Sequence, residues 1–521
     1  MSEIKASHVR EIIERMMERD DITGKSTWNI TKDVCKKYSL DNMPTKVQIL
    51  NLCNEKEKNK LKKVLTTKPV RSSSGVSVIT IVPEPADCPG KCIYCPKGEN
   101  SPQSYIGTEP AIMRARHNDY DPYKQVRNRL EQYKMMGHST DKIQLIILGG
   151  TFLSLEKKYK ENFIRKMFDA LNETDSENLK EAKTLNETAK HRCIGLVIET
   201  RPDFCKESHV NEMIEYGTTM VEIGVQSIYP EILENVERNH SIEDVKDATR
   251  ISKDSGLKVN YHMMPGLPGV SRDMDIEQFR KLFLDDAFKP DALKIYPTLV
   301  IKGTKLYDMW QKGEYSALPT EEAVDIVSES MRYIPKYCRI MRMQRTMSAD
   351  EIEAGVEKSN FRELVEDETK KKGIHIEEIR YREIGKKFGK LKNDHIEIFR
   401  IDYAASGGKE VFLSFEDCKN GTISGFIRIR FSENSPRKEI TGSTAMIREL
   451  HVYGPTIPIG NSEEGAIQHR GLGRKLLEEA EYIAKHEFKK TKMIVISGVG
   501  VREYYRKHGY ESDGPYMSKQ L

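Results

Sequence analysis

The run Val76-Ser-Val-Ile-Thr-Ile-Val82 leads, across residues 83–87, into Cys88-Pro-Gly-Lys-Cys92-Ile-Tyr-Cys95. A β-branched run bounded by proline reads as a buried strand. The cysteines therefore sit on the loop that leaves it, with C-x3-C-x2-C spacing. Three thiolates can ligate three irons of a 4Fe–4S cluster and leave the fourth iron open to a chelating ligand. A structural zinc site closes with four ligands. After Cys95 the nearest histidine is His117 and no close fourth cysteine follows, so the triplet predicts a catalytic cluster.

Outward from this loop, apolar runs at 143–148, 194–199, 220–225, 258–263 and 292–296 read as further strands. Amphipathic stretches at 121–136, 155–171, 207–216, 242–255 and 275–285 read as the helices between them. Six strands separated by helices predict a parallel α/β sheet that curls into a partial (β/α)6 barrel over residues 76–335. Such barrels carry their chemistry at the C-terminal ends of the strands. There the sequence places Gly149-Gly150-Thr151 after the second strand, Glu199-Thr200-Arg201 after the third and Gln226-Ser227 after the fourth. His262, Lys294 and Tyr296 end later strands. The polar stretch 173–190 reads as an excursion on the outside of the barrel.

This arrangement resembles the radical S-adenosylmethionine superfamily. The resemblance implies that Cys88, Cys92 and Cys95 hold the 4Fe–4S cluster and that the open iron binds S-adenosylmethionine. It implies that Gly149, Gly150, Thr151, Glu199, Arg201 and Gln226 contact the cofactor. Reductive cleavage there yields methionine and a 5′-deoxyadenosyl radical.

Near the C-terminus stands Gln468-His-Arg470-Gly471-Leu472-Gly473-Arg474, which opens an amphipathic helix over 473–486. A glycine loop feeding a helix N-terminus offers free N–H groups and a positive dipole end to phosphate. Strand patterns lie at 411–415, 422–430 and 493–497, and at Arg448-Glu449-Leu450-His451-Val452. The Q-x-x-G-x-G pattern resembles the pyrophosphate loop of GCN5-related acetyltransferases. The resemblance implies an α+β domain over 391–521 that binds acetyl-CoA. In it Leu450 and Val452 pair with the pantetheine arm, while Gln468, Arg470, Gly471, Leu472, Gly473 and Arg474 cradle the pyrophosphate. A tyrosine lies by the thioester sulfur in that family. Of Tyr504 and Tyr505 the latter is favoured for this role, and Glu449 and His451 are candidates to position a water.

A radical domain followed by an acetyltransferase domain resembles, over nearly the whole chain, the family of the catalytic subunit of Elongator with its single-chain archaeal and bacterial relatives. Carrying motifs include Lys68-Pro-Val-Arg71, Leu148-Gly-Gly-Thr-Phe152, Glu199-Thr-Arg-Pro-Asp203, Lys294-Ile-Tyr-Pro297, Glu449-Leu-His-Val-Tyr-Gly454 and Ile496-Ser-Gly-Val-Gly500. The resemblance implies modification of carbon 5 of the wobble uridine of tRNA. The radical takes a methyl hydrogen from acetyl-CoA, the acetyl radical adds to the base, loss of an electron and a proton restores the ring, and thioester hydrolysis leaves 5-carboxymethyluridine. It assigns Lys142 to acetyl-CoA, and Lys294 and Tyr296 face the substrates. The expected partners are the tRNA anticodon arm, acetyl-CoA and an electron donor, without a need for other Elongator-type subunits.

Composition agrees with this division. Residues 1–71 carry 16 Lys/Arg against 10 Asp/Glu, with Lys56, Lys58, Lys60, Lys62 and Lys63 in one run. Residues 1–75 thus read as a helical, basic, tRNA-binding segment, and 336–390 as a charged connector. No apolar run approaches the roughly 20 residues that span a membrane, and the start of the chain is charged, so a cytoplasmic protein is expected. The rival reading is a plain protein-lysine or RNA acetyltransferase whose iron–sulfur cluster is only structural.

Overall fold

The computed structural model describes residues 4–67, 75–150, 152–384, 395–453 and 471–521. Seven strands form the first sheet: β1 (Ser77–Ile81), β2 (Lys142–Ile147), β3 (Arg192–Thr200), β4 (Thr218–Gln226), β5 (Lys258–Met263), β6 (Ala292–Ile295) and β7 (Arg339–Arg342). They lie in chain order and every pairing is parallel. Parallel neighbours require crossovers, and helices Pro122–Met135, Lys157–Asn172, Glu207–Tyr216, Ile242–Asp254 and Arg272–Leu284 supply them. Local chemistry starts several of these helices. The side chains of Asp121, Ser241 and Ser271 accept from the backbone N–H groups of Lys124, Asp244 and Met274. β1 and β7 are the two edges, so the sheet is an open partial barrel. The seventh strand falls inside the stretch read from sequence as connector. At four residues it is too short to show a period against its charged surroundings.

The second sheet runs β13-β14-β12-β11-β10-β9-β8. Its strands are β8 (Ile396–Ala405), β9 (Gly408–Asp417), β10 (Ile423–Phe431), β11 (Thr444–Val452), β12 (Lys492–Val495), β13 (Glu511–Asp513) and β14 (Tyr516–Gln520). Only β11 and β12 pair in parallel, through Thr444–Ile447. Helix Leu472–His486 buries Leu476, Leu477, Ala480, Ile483 and Ala484 against this sheet. Sequence patterning had not singled out β8, an edge strand with its first half largely exposed, or the short β13 and β14.

Four helices, Ala6–Met17, Gly24–Lys37, Lys46–Leu52 and Glu55–Leu65, form a separate N-terminal core around Ile12, Ile13, Val34 and Leu61. Of the lysine run, Lys56, Lys62 and Lys63 are exposed. Lys60 instead donates to the Met17 carbonyl at 2.8 Å, closing the end of the first helix. Among the described residues no helix is long and apolar enough to cross a membrane.

The two sheets share one apolar core, in which Phe412, Phe426, Met446, Ile494, Ile496 and Val499 join the barrel residues. Contact is backbone-close at Gly498 and Gly500. A Cβ on Gly498 would stand 2.1 Å from the Ile194 carbonyl oxygen, and one on Gly500 2.4 Å from the Arg192 Cβ. Around this seam lies a fully buried ionic network. Asp291 accepts both Arg448 guanidinium nitrogens at 2.8 and 2.6 Å. Glu410 accepts from Arg448 at 2.7 Å and from Arg430 at 3.0 Å. Arg430 also reaches Asp254 at 2.6 Å, and Lys253 lies 3.8 Å from Asp291 and 3.7 Å from Glu410. Asp254, Lys253 and Asp291 belong to the barrel, whereas Glu410, Arg430 and Arg448 belong to the second sheet. Because Gly498 abuts backbone that cannot yield, Gly498→Ala is expected to destabilise the protein by roughly 1–3 kcal/mol through overpacking. Gly442→Ala, where an added methyl meets nothing within 4 Å, should leave the urea-unfolding midpoint unchanged.

Candidate active site

Cys88, Cys92 and Cys95 lie on the loop after β1, none in a disulfide. Three thiolates on one loop, with no fourth cysteine or histidine close by in sequence, suit a cluster with one open iron. Gly90 N–H donates to Cys88 Sγ at 3.3 Å, and Arg238 Nη1 donates to Cys92 Sγ at 3.4 Å. Gly90 has no room for a side chain, since its Cβ would stand 2.0 Å from Arg201 Nη1.

Buried polar atoms without partners gather around this loop: Arg201 Nη1, Gln226 Oε1, Arg238 Nε, both ring nitrogens of His240 and the Tyr94 hydroxyl. Native interiors rarely leave such atoms unpaired. Their presence here fits a site built for a polar cofactor. Arg201 is aimed by a bidentate pair to Asp203, at 2.9 Å on each arm. Gln226 holds a positive φ of 71°, a conformation a side-chain-bearing residue rarely takes, at the end of β4. Gly149 turns with φ 115° and donates its N–H to Glu199 at 3.3 Å, tying the ends of β2 and β3. A Cβ on Gly150 would meet nothing within 4 Å, so this edge is open. Thr151 lies outside the described residues.

Below the rim the barrel interior is ionic. Lys294 donates to Glu222 and, at 3.3 Å, to Glu199. His262 Nε2 is 3.0 Å from Glu222, and Asn260 donates to Glu222 at 3.1 Å. Tyr296 meets the His262 ring edge-on with centroids 5.5 Å apart. Burial pushes the Glu222 carboxyl up, but Lys294 and His262 outweigh it and hold the group well below the usual carboxylate range. The Glu199, Glu222 and His262 donors converge closely enough for a cation; the Lys294 ammonium fills that role. Sequence reasoning named Lys294 and Glu199 but missed Glu222, Arg238 and His240. The available signal was a charge inside an apolar strand, Thr218-Thr-Met-Val-Glu222, which burial tolerates only with a partner.

The acetyltransferase-type module opens at β11. Beyond Ile447 this strand keeps its pairing with β10 and loses β12, leaving a notch along Arg448–Val452. Leu450 and Val452 are half-buried there. Gly471, with φ 73°, precedes the helix whose first residues are Leu472, Gly473 and Arg474. Gln468 and Arg470 lie outside the described residues, as does Lys68-Pro-Val-Arg71. Tyr505 is buried in the core against Tyr504 and Tyr510. The Tyr504 hydroxyl instead comes within 2.9 Å of the place a Cβ on Gly473 would take, a place 3.6 Å from Val452. Of the two candidates, Tyr505 packs in the core and Tyr504 lies beside the notch.

Glu449 pairs with Arg428 at 2.9 Å and with Lys258, at the start of β5, at 3.6 Å. Burial pushes its carboxyl up, but Lys258 and Arg428 hold it below the usual range. His451 stacks on Phe426 and Tyr453. Lys142, at the N-terminal end of β2 opposite Arg192, lies on the side where Gly500 meets the barrel. The notch thus faces the N-terminal strand ends and the cysteine loop the C-terminal ends. Along β5 the alternate residues Lys258, Asn260 and His262 contact Glu449 and Glu222 between them.

Burial lowers the His451 pKa to about 4 and, with help from Arg238 and Arg201, the His240 pKa to about 2. Both imidazoles are neutral near pH 7. The unfolded chain protonates them near 6.5, so the unfolded state takes up more protons and stability falls as the pH drops from 6.5 toward 4. His451→Gln is expected to reduce the stability lost between pH 7 and pH 5 by about 1–2 kcal/mol, measured by urea unfolding at each pH.

Residues 5–73 match the ELP3 N-terminal domain, 86–283 the radical SAM superfamily and 290–371 the radical SAM C-terminal domain. The tRNA uridine(34) acetyltransferase of Methanocaldococcus infernus is 48% identical over 99% of this chain and 100% of its own. Elongator complex protein 3 of Saccharomyces cerevisiae is 43% identical over 93% of this chain and 90% of its own. The solved structure of the M. infernus Elp3 lacking residues 1–46 superposes with a TM-score of 0.77 at 46% identity, covering 86% of this chain and 100% of that one. The chain therefore belongs to the family of Elongator complex protein 3 and the tRNA uridine(34) acetyltransferases, and its seven-stranded barrel to the radical SAM superfamily.

Proposed function

We propose that this chain modifies carbon 5 of the wobble uridine of tRNA, forming 5-carboxymethyluridine from acetyl-CoA by a radical step followed by thioester hydrolysis. The observation that carries this reading is the presence, on two sheets that share one apolar core, of a three-cysteine loop ringed by unpaired buried polar atoms and a β11 notch beside Gly473 and Tyr504. The names of the relatives, tRNA uridine(34) acetyltransferase among them, support the substrate.

When bound, a reduced 4Fe–4S cluster on Cys88, Cys92 and Cys95 with S-adenosylmethionine supplies a 5′-deoxyadenosyl radical able to break a methyl C–H bond, which no side-chain acid or base can do. Arg201, through its free Nη1, and Gln226, through its free Oε1, hold polar groups of the cofactor, and Gly149 and Gly150 leave room for it. Lys294 and Glu222 form a fixed dipole inside the barrel that orients the substrate without reorganisation. In the notch Leu450 and Val452 line the place of the pantetheine arm, and the helix N-terminus at Gly471 receives phosphate. Burial raises the Tyr504 phenol to about 12, so it stays protonated and donates to the departing thiolate. Neutral His451, beside ionised Glu449, positions the water. Exposed Lys56, Lys62 and Lys63 bind tRNA phosphates, and the target base leaves its stack to enter the barrel.

Anaerobic turnover of reconstituted protein with tRNA, acetyl-CoA, S-adenosylmethionine and a reductant tests this, with nucleosides read by mass spectrometry. The expected result is a carboxymethyl mass gain that needs both cofactors. It is abolished in Cys92→Ala and slowed roughly 10- to 100-fold in Tyr504→Phe. Acetyl groups reaching a protein or RNA amine without S-adenosylmethionine, and no modified uridine, would establish the plain acetyltransferase instead.

A further inference from the structure

We propose that Arg238 is a positioning residue that holds the Cys92 thiolate and raises the reduction potential of the cluster; this rests on the cluster assignment made above. Arg238 follows helix Pro230–Asn235 on the crossover from β4 to β5 and is 7% exposed. Its Nη1 donates to Cys92 Sγ at 3.4 Å and its Nη2 to the Gly224 carbonyl at 2.6 Å. Its backbone is pinned as well. Its N–H donates to the Leu233 carbonyl at 2.9 Å, and its carbonyl accepts from Arg201 Nη2 at 3.2 Å. A Cβ on Gly224 would stand 2.7 Å from Nη2, so that glycine exists to let the guanidinium in.

The environment of this cation decides its role. A buried charge is very costly unless an opposite charge meets it. The other deeply buried arginines here have carboxylates: Arg201 has Asp203, Arg428 has Glu449, Arg430 has Asp254 and Glu410, and Arg448 has Asp291 and Glu410. Among the described residues Arg238 forms no ion pair with any carboxylate. The titratable groups around it are Cys92, Cys95 and the Tyr94 phenol, and burial keeps that phenol neutral. His240 nearby is neutral and supplies no compensation. The guanidinium is therefore placed for the anionic cluster and its thiolates. A charge-assisted N–H···S contact favours the more negative, reduced cluster over the oxidised one. Hydrogen bonds to the sulfurs and local charge are known levers on cluster potential. Arg238 thus eases the electron transfer that any turnover here requires.

The test is a redox titration of the full-length reconstituted chain, without S-adenosylmethionine or acetyl-CoA, followed by electron paramagnetic resonance and by iron content. At a fixed potential Arg238→Gln is expected to lower the reduced-to-oxidised ratio of the cluster about tenfold, a shift of about 59 mV for one electron. Arg238→Lys, which keeps the charge and a donor, should lie nearer the wild type. If Arg238→Gln does not retain iron, an Arg238→Lys protein that does, with a titration like the wild type, supports the same role. An Arg238→Gln cluster that titrates with the wild type overturns the proposal. So does loss of iron in both variants with unfolding midpoints unchanged, which would make Arg238 a loop anchor only. A wild-type chain that takes up no cluster is a separate result, and it contradicts the cluster assignment itself.

Discussion

Everything functional in this chain depends on a buried ionic seam. Asp291 stands immediately before β6, receives the Val259 N–H at 2.8 Å and grips both arms of Arg448 from the second sheet. Around that pair four cations, Lys253, Arg428, Arg430 and Arg448, meet four anions, Asp254, Asp291, Glu410 and Glu449. Such networks add little net stability over an apolar core, because desolvation offsets the attraction. Their effect is on geometry: removing one partner strands a charge and costs about 3–5 kcal/mol, so alternative dockings of the two sheets are excluded. Gly498 and Gly500 bring the backbones close enough for the seam to close.

That constraint turns two separate sites into one machine. Glu449 lies on the β11 notch, yet its partners are Arg428 inside the seam and Lys258 at the foot of β5. From Lys258 the same strand carries Asn260 and His262 to Glu222 and thence to Lys294 and Glu199 beneath the cysteine loop. Polar side chains of one strand therefore meet both sites, Lys258 at Glu449 and Asn260 and His262 at Glu222. Hydrogen-bonded groups held this way act by preorganisation, with no rearrangement needed when charge develops.

Much of this was legible in the sequence, and the limits of that legibility are physical. Six of the seven barrel strands and the helices between them announced themselves through apolar runs and 3.6-residue periods, because both faces of a parallel sheet are buried. The cysteine triplet and the glycine before helix Leu472–His486 were readable because each is a short, local spacing on one loop. β7, at Arg339–Arg342, was hidden because four residues cannot display a period. Tyr504 and Tyr505 are adjacent and chemically alike. Only the turn of helix Arg502–Arg506 decides which one lies beside the notch, and no sequence pattern records that. Glu222 and Arg238 escaped because their partners lie 40 and 146 residues away along the chain, which no local pattern records.

The central claim is that the barrel chemistry acts on acetyl-CoA held by the second module. It is tested most directly by supplying acetyl-CoA with a trideuterated acetyl methyl group under anaerobic turnover with tRNA and measuring the mass of the 5′-deoxyadenosine released. The account predicts 5′-deoxyadenosine carrying one deuterium. Unlabelled 5′-deoxyadenosine accompanying normally modified uridine would contradict it, because the hydrogen would then come from somewhere other than the acetyl group.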